Sequence, residues 1–428
     1  MRRVSIAVLL LLGIAASARG QGLFDQIPAS IPGYDMRFGV PLLARAETRM
    51  RELGIDLGGA RVQPAAEIGL GYDSNVRGEA RARGSAFVNT AASLGVQRDF
   101  RDVTLAGYFR ADDRRYFSQA AQSRTNWSAT FGAGVELGGG RLNLSASHLA
   151  LHQERTDLDS IPSDRPIAYR VEQARVSYAY RFNRLTLVPN AEFAIYRFSN
   201  TTIAGIPASQ LYRDRQVARA GVGGRYELAE KRGIIFALGA ANTRYQHAVI
   251  NQPNRNSTDA VALIGMDSGG ADPHADPWRY SVLAGVQARQ FAAPGRAARI
   301  APALDAQIHW QATGLTGLNL RVTRAIEDAA REGQSSAVLT RAKLVAEHEY
   351  ACDLIFQVSG GVQLAEYDRA STGVSFNAGA RVTWVINDLM RASLSYDFVR
   401  WREGVQDNAP QDGLRLRNLV LATLRLTP

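Results

Sequence analysis

Lysine and cysteine are nearly missing from this 428-residue chain, and so is any long apolar run beyond its opening residues. Lysine occurs only at 231 and 343, so all but two of the 50 basic residues are arginine. Cys352 is the single cysteine, which excludes an intramolecular disulfide and leaves stability to packing or to a closed backbone ladder. A helical membrane span needs about 20 consecutive apolar residues, and the slightly negative mean hydropathy fits the absence of such helices. Proline is scarce at 15 residues, whereas glycine reaches 39. No Gly-flanked nucleophilic serine, Cys/His pair, phosphate loop or dinucleotide fingerprint is present. The sequence therefore offers no catalytic residue, no metal site and no cofactor, and it reads as a protein that is not an enzyme.

The one apolar run, Val4 to Ala16, follows Arg2 and Arg3 and precedes small residues at Ala16-Ser17-Ala18 and Ala18-Arg19-Gly20. This is the pattern of a secretory signal peptide, and it is short for a membrane anchor. Residues 1–20 are expected to be removed on export through the general secretory pathway. The formal charge of +10 then falls to +7, because Arg2, Arg3 and Arg19 leave with the signal. An exported basic protein meets lipopolysaccharide phosphate, an anionic solute or an acidic polysaccharide more readily than nucleic acid.

From residue 61 onward one theme repeats: segments of 10 to 16 residues alternate in polarity and are separated by turn formers. Ala174, Val176, Tyr178, Tyr180 and Phe182 fall on one face of an extended segment, while Gln173, Arg175, Ser177 and Arg181 fall on the other. After the tight turn Asn183-Arg184 the alternation resumes with Leu185, Leu187, Ala191, Phe193 and Ile195 against Thr186, Asn190, Glu192 and Tyr196. Segments around 318–323, 390–398 and 420–426 repeat it. Short connections fall near 98–102, 138–141, 182–184, 228–232, 313–316, 350–353 and 386–388. Longer polar ones fall near 74–84, 118–123, 156–168, 199–210, 248–256, 328–336 and 403–413, and 269–277 is long where a short turn is expected.

Short turns at one end and long loops at the other are the pattern of an outer-membrane barrel. In hydrocarbon every backbone N–H and C=O needs an internal partner, so such a sheet must close on itself. The expected fold is all-β: a transmembrane, antiparallel, up-and-down barrel of about 18 strands, with 16 the nearest alternative, in a bacterial outer membrane. A soluble propeller or sandwich is the competing class, but its strands average about 5 to 6 residues. Residues 61–428 form the expected barrel. Residues 21–60, with Pro28, Pro32, Pro41 and a helix expected over 42–53, form a periplasmic segment that lies under the mouth or enters the lumen.

One stretch is similar to a known family. Gly54-Ile55-Asp56-Leu57-Gly58-Gly59, then Val62-Gln63-Pro64, Gly69 to Tyr72 and Asp73-Ser74-Asn75-Val76 resemble the opening of the putative β-barrel porin 2 family, whose first strand ends in a D-x-N motif. Residues 302–305, 310, 313–316 and 320–327 resemble the paired strands of that family, and the likeness continues through Asp353-Leu354, Gly360-Gly361 and Tyr367. It covers most of 54–428. It implies a link with exopolysaccharide or capsule export, and a barrel of 16 to 18 strands is itself wide enough to be expected as a porin-like channel, with the outer-membrane assembly machinery as a partner. The ending Leu424-Arg425-Leu426-Thr427-Pro428 departs from the aromatic last residue common in outer-membrane barrels.

Arg or Lys on the lipid face costs about 2 to 4 kcal/mol at mid-bilayer. Basic residues on polar strand faces are therefore expected in the lumen or near strand ends: Arg175, Arg181, Arg321, Arg341, Lys343, Arg391, Arg415 and Arg417, with Glu192 and Asp397 among the accompanying carboxylates. They either brace the barrel as ion pairs or line a path for anions or an acidic glycan, and both can hold together. His148 and His152 share a face and read as a polar lumen pair, with metal binding the alternative. Asp157, Asp159 and Asp164 read as a solvated loop, with divalent bridging to lipopolysaccharide the alternative. Asp272, His274 and Asp276 read as a solvated turn or a cation site. Tyr108, Phe109, Tyr116, Phe117, Trp127, Tyr196, Phe198, Trp310, Trp384, Phe398 and Trp401 are expected in interface girdles.

Overall fold

The computed structural model describes residues 31–32, 54–248, 254–268, 277–330, 334–368, 372–402 and 415–427. Among these, 18 long antiparallel strands form one closed sheet. In chain order they are β1 (Ala60–Asp73), β2 (Ser85–Asp99), β3 (Val103–Tyr116), β4 (Arg124–Leu137), β5 (Gly140–Gln153) and β6 (Ile167–Phe182). Next come β7 (Leu185–Phe198), β8 (Arg215–Ala229), β9 (Arg232–Tyr245), β10 (Ser257–Ser268), β11 (Trp278–Phe291) and β12 (Arg299–Gln311). The last six are β13 (Thr316–Asp328), β14 (Ser336–Ala351), β15 (Leu354–Tyr367), β16 (Thr372–Val385), β17 (Met390–Arg402) and β18 (Arg415–Leu426).

Each strand pairs with its sequence neighbours, and β18 closes on β1 from Ala66↔Leu426 to Asp73↔Leu419. That seam leaves the start of β1 without a partner in β18. Residues Ile55–Leu57 fold back and pair with Ala60–Val62 instead. The reversal runs through Gly58 and Gly59 at φ of 63° and 82°, a region that glycine enters without a Cβ clash. At the β6–β7 turn Asn183 takes φ of 51°, as the first position of a two-residue hairpin loop requires.

The strands run from 12 to 16 residues, more than the 9 to 11 or so that a tilted strand needs to cross a bilayer. Their outer faces are apolar and uncovered. Ile68, Leu70, Phe131, Phe193, Ile264, Val358, Phe376 and Leu394 are all exposed. An apolar belt running through the whole sheet would drive aggregation in water, and in lipid it is the contact surface. Trp278 and Trp310 stack at 5.0 Å on this face near the short-turn end, where an interface girdle belongs.

A conventional core is replaced by packing inside the cylinder. Leu149, Leu151, Tyr169, Val171, Tyr196, Phe198 and Val217 bury themselves on the inner face of β5 to β8, toward the long-loop end. An outer-end connection at 292–298, turned by Gly295 at φ of 76°, separates β11 from β12 where the polarity pattern gives no break. The anomalous 269–277 stretch and the helix expected over 42–53 lie outside the described residues, apart from Pro277.

Candidate functional site

Inward-facing positions of β6 to β10 carry charge in matched pairs. Arg175 reaches Glu192 at 2.7 Å, and Arg219 shares the same carboxylate from the next strand. Nearer the short-turn end Arg225 pairs with the fully buried Asp267 at 2.7 Å, and Arg181 with Glu227 at 2.7 Å. On the far wall Arg341 makes two bonds to Glu327, at 2.6 and 3.1 Å. These residues alternate with outward apolar ones because strand geometry turns every second side chain to the opposite face.

The wall formed by β13 to β17 differs. Arg321 and Lys343 stand directly opposite each other in register, both turned inward. Neither joins an ion pair among the described residues, although Asp305 is within electrostatic reach of Arg321. The same register row continues through Gly361 and Asn377, so no bulky side chain stands beside Lys343 on that side. Lys343, Arg381 and Asp397 are exposed although they point into the cylinder. Solvent therefore reaches this wall. Arg391 and Arg415 face inward as well and are buried.

The long-loop end is crossed by chain. The 154–166 connection leaves β5 and reaches the opposite side of the cylinder, where Leu158 packs with Ala337, Leu339, Ala365 and Tyr367. There Asp159 accepts the Tyr367 hydroxyl at 3.0 Å and the backbone N–H of Ala330. The two residues that follow β13 also turn inward. Ala329 and Ala330 are buried, and the Ala330 carbonyl accepts the Tyr212 hydroxyl at 2.9 Å. Asp328, the last residue of β13, pairs with Arg215 at 3.0 Å and Arg289 at 2.8 Å, and Arg289 also holds Asp259 at 2.7 Å.

The D-x-N stretch sits at the barrel seam. Asp73 accepts the Asn75 N–H at 3.0 Å, the Tyr116 hydroxyl at 3.0 Å, and Arg417 at 2.6 and 3.0 Å. Asn75 donates to the Leu416 carbonyl at 2.9 Å and the Glu79 carbonyl at 2.8 Å. Ser74 completes the clasp: its N–H bonds the Asn418 carbonyl at 2.9 Å, and its hydroxyl accepts the Asn418 N–H at 2.8 Å. The motif thus ties the end of the first strand to the start of the last. Arg417 continues to Glu154 at 2.9 Å, which links the seam to the crossing loop, and Arg124 binds the same carboxylate.

Burial disfavours the Glu154 carboxylate, but Arg124, Arg417 and Arg114 outweigh it and hold its pKa well below the carboxylate range. A depressed carboxyl stabilises the folded form above its unfolded pKa and loses that contribution only as pH falls through the lowered value. Mild acid should therefore leave the loop clasped. Protease nicking of the 154–166 loop is expected to be unchanged between neutral pH and about pH 4.5, near an ordinary Glu pKa. Sharply increased nicking across that interval would contradict it.

Two described residues of the N-terminal segment lie within the cylinder. Ile31 is buried against Ala106, and a Cβ built on the inward-facing Gly132 would stand 2.8 Å from Ile31 and 2.9 Å from Pro32.

Several sequence expectations are corrected here. His148 faces outward, stacks on Trp127 at 4.8 Å and lies 3.9 Å from Glu172, while His152 bonds Asn126 at 3.0 Å. They are not a lumen pair, because the apolar partners Leu149 and Leu151 take the inner face. Asp159 is buried as a loop anchor rather than solvated, and Asp164 accepts the N–H groups of Ala204 and Gly205 at 3.1 and 2.8 Å. Tyr116, Tyr196, Phe198 and Trp401 are buried inside rather than in a girdle, whereas Phe109, Phe117, Trp127, Trp310 and Trp384 are exposed. Asp272, His274 and Asp276 lie outside the described residues. No cluster of three or more potential metal ligands occurs among the described residues. Arg219, Arg289, Asp259 and Asp328 escape sequence reading because their partners lie one to five strands away and no local spacing marks them.

No curated protein matches the chain. Solved structures with a similar fold include the FrpB iron transporter of Neisseria meningitidis in its apoprotein form, at 10% identity and a TM-score of 0.47, covering 88% of this chain and 67% of that one. OccK1 (OpdK) of Pseudomonas aeruginosa aligns at 9% identity and a TM-score of 0.44, over 86% of this chain and 99% of its own. A bacterial polysaccharide outer membrane secretin aligns at 12% identity and a TM-score of 0.38, over 85% and 97%. The family model described as putative beta-barrel porin 2 matches residues 50–413. With that match and the closed 18-stranded cylinder together, the chain belongs to the putative β-barrel porin 2 family and is a porin-like outer-membrane barrel.

Proposed function

We propose that this barrel is a passive channel for anionic solutes, exported with loss of residues 1–20 and seated in the outer membrane with its loops outward. One observation carries this reading: charged side chains at Lys343, Arg381 and Asp397 are solvent-exposed inside a cylinder whose outer face is apolar. A cylinder of 16 to 18 strands is wide enough for an aqueous lumen. Two cations directly opposite each other repel, and an anion between them relieves the repulsion, so Arg321 and Lys343 would favour anions in transit. An acidic glycan carries such anions in series. The resemblance of residues 54–428 to barrels linked with exopolysaccharide export supports placing the channel in that setting.

Purified protein in planar bilayers should give stepwise conductance, with a reversal potential in a salt gradient that marks preference for anions. Arg321→Gln with Lys343→Glu should abolish or reverse that preference at similar unitary conductance. Unchanged selectivity in the double variant would remove this wall from the path.

A second reading is a closed structural or assembly barrel of a polysaccharide secretion system. The crossing 154–166 loop and the placement of Ile31 and Pro32 against Gly132 favour it. It predicts no conductance even after the loops are released.

A further inference from the structure

The lipid-facing side of β6, β7 and β9 carries three arginines close to the long-loop end. Arg170 lies three residues into β6, Arg197 is the penultimate residue of β7, and Arg244 is the penultimate residue of β9. All three are exposed. Their outward direction follows from the neighbours on either side: Tyr169, Val171, Tyr196 and Phe198 are buried in the internal cluster, and strand alternation turns Arg170 and Arg197 the other way.

Arg170 and Arg197 are directly opposite in the β6–β7 ladder. Side chains so placed start about 4.5 to 5.5 Å apart, and like charges there repel. Two other outward arginines of the outer rim carry their own carboxylates. Arg115 pairs with Asp113 at 2.6 Å, and Arg324 with Glu366 at 2.7 Å. Arg170 and Arg197 form no ion pair among the described residues. Of the acids near them, Glu172 faces His148 at 3.9 Å, and Asp214, within electrostatic reach of Arg197, is buried and accepts the Phe198 N–H at 2.7 Å. Arg244 is oriented by its own bond to Asn242, at 3.0 Å. It stands in the register row of Gln216 and Ile195, next to Arg197 along the β7 face.

We propose that Arg170, Arg197 and Arg244 hold the phosphates of the diphosphorylated glycolipid of the outer leaflet. Charge complementarity is the argument for the occupant. The forks lie above an apolar wall that takes acyl chains, at the height where that lipid presents phosphate, and guanidinium forks match phosphate oxygens in pairs. Two phosphates on one headgroup can engage the opposed pair and Arg244 together. A single-phosphate glycerolipid reaches only one of the two.

The test uses full-length protein purified in detergent, with added diphosphoryl lipid A, monophosphoryl lipid A or phosphatidylglycerol, and native mass spectrometry to read bound lipid. Diphosphoryl lipid A should be retained most strongly. Arg170→Gln with Arg197→Gln should weaken its retention about tenfold or more, as expected for losing charge-assisted bonds. Arg115→Gln should leave retention unchanged. Heat-modifiable migration establishes that each variant is folded. Should the double variant fail to fold, Arg244→Gln replaces it, with a smaller expected loss of retention. Undiminished binding of diphosphoryl lipid A by a folded variant, or equal retention of phosphatidylglycerol, overturns the proposal.

Discussion

Asp73→Asn is expected to weaken barrel closure by about 3 kcal/mol or more, the size seen when one partner of a buried ion pair is removed. Asp73 is fully buried and is the acceptor for two Arg417 nitrogens, for the Tyr116 hydroxyl and for the Asn75 N–H. An amide of the same shape can still accept from Asn75, but it cannot offset the Arg417 charge. The loss falls at the seam, the one place where strands distant in sequence must find each other. The measurement is the urea midpoint followed by heat-modifiable migration. A double variant, Asp73→Asn with Arg417→Gln, should cost less than the sum of the single changes, because the pair is coupled. Additive losses would mean that the clasp is not held by charge.

Releasing the chain held across the mouth should raise single-channel conductance several-fold. Asp159→Ala removes the acceptor for Tyr367 and the Ala330 N–H, and Asp328→Ala removes the anchor for Arg215 and Arg289. Arg289 keeps Asp259, and Arg215 keeps its stacking on Tyr196, so the wall itself retains its contacts. Only the chain across the mouth loses its ties. Conductance equal to that of the unaltered protein would mean that the loops do not limit the path. If neither protein conducts, the channel reading fails and the closed structural barrel stands.

Much of the architecture is legible in the sequence because one local rule governs it. Lipid on one side and a charged interior on the other impose a two-residue period, and Ala174, Val176 and Tyr178 against Arg175 and Ser177 show it without reference to any other strand. The same rule turns Arg175, Glu192, Arg321, Lys343 and Arg417 away from lipid. It says nothing about which of them meet. Glu192 holds two arginines and Lys343 holds no carboxylate, a distinction set by cross-strand register.

The rule also fails where the chain leaves the wall. Tyr196 and Phe198 are aromatics near a strand end, as girdle residues are, but the loop crossing the mouth gives them an apolar surface inside, and they bury there. Asp159 looks like any acid in a polar loop until that loop reaches the opposite wall.

Strand period, closure and the side of the membrane that each face meets were determined by the sequence, because each follows from the polarity of adjacent residues. The pairing of lumen charges, the crossing of the mouth and the clasp at the seam were decided by tertiary structure alone. Those contacts join residues as far apart as Asp73 and Arg417 or Asp159 and Tyr367, and only the closed cylinder brings them within bonding distance.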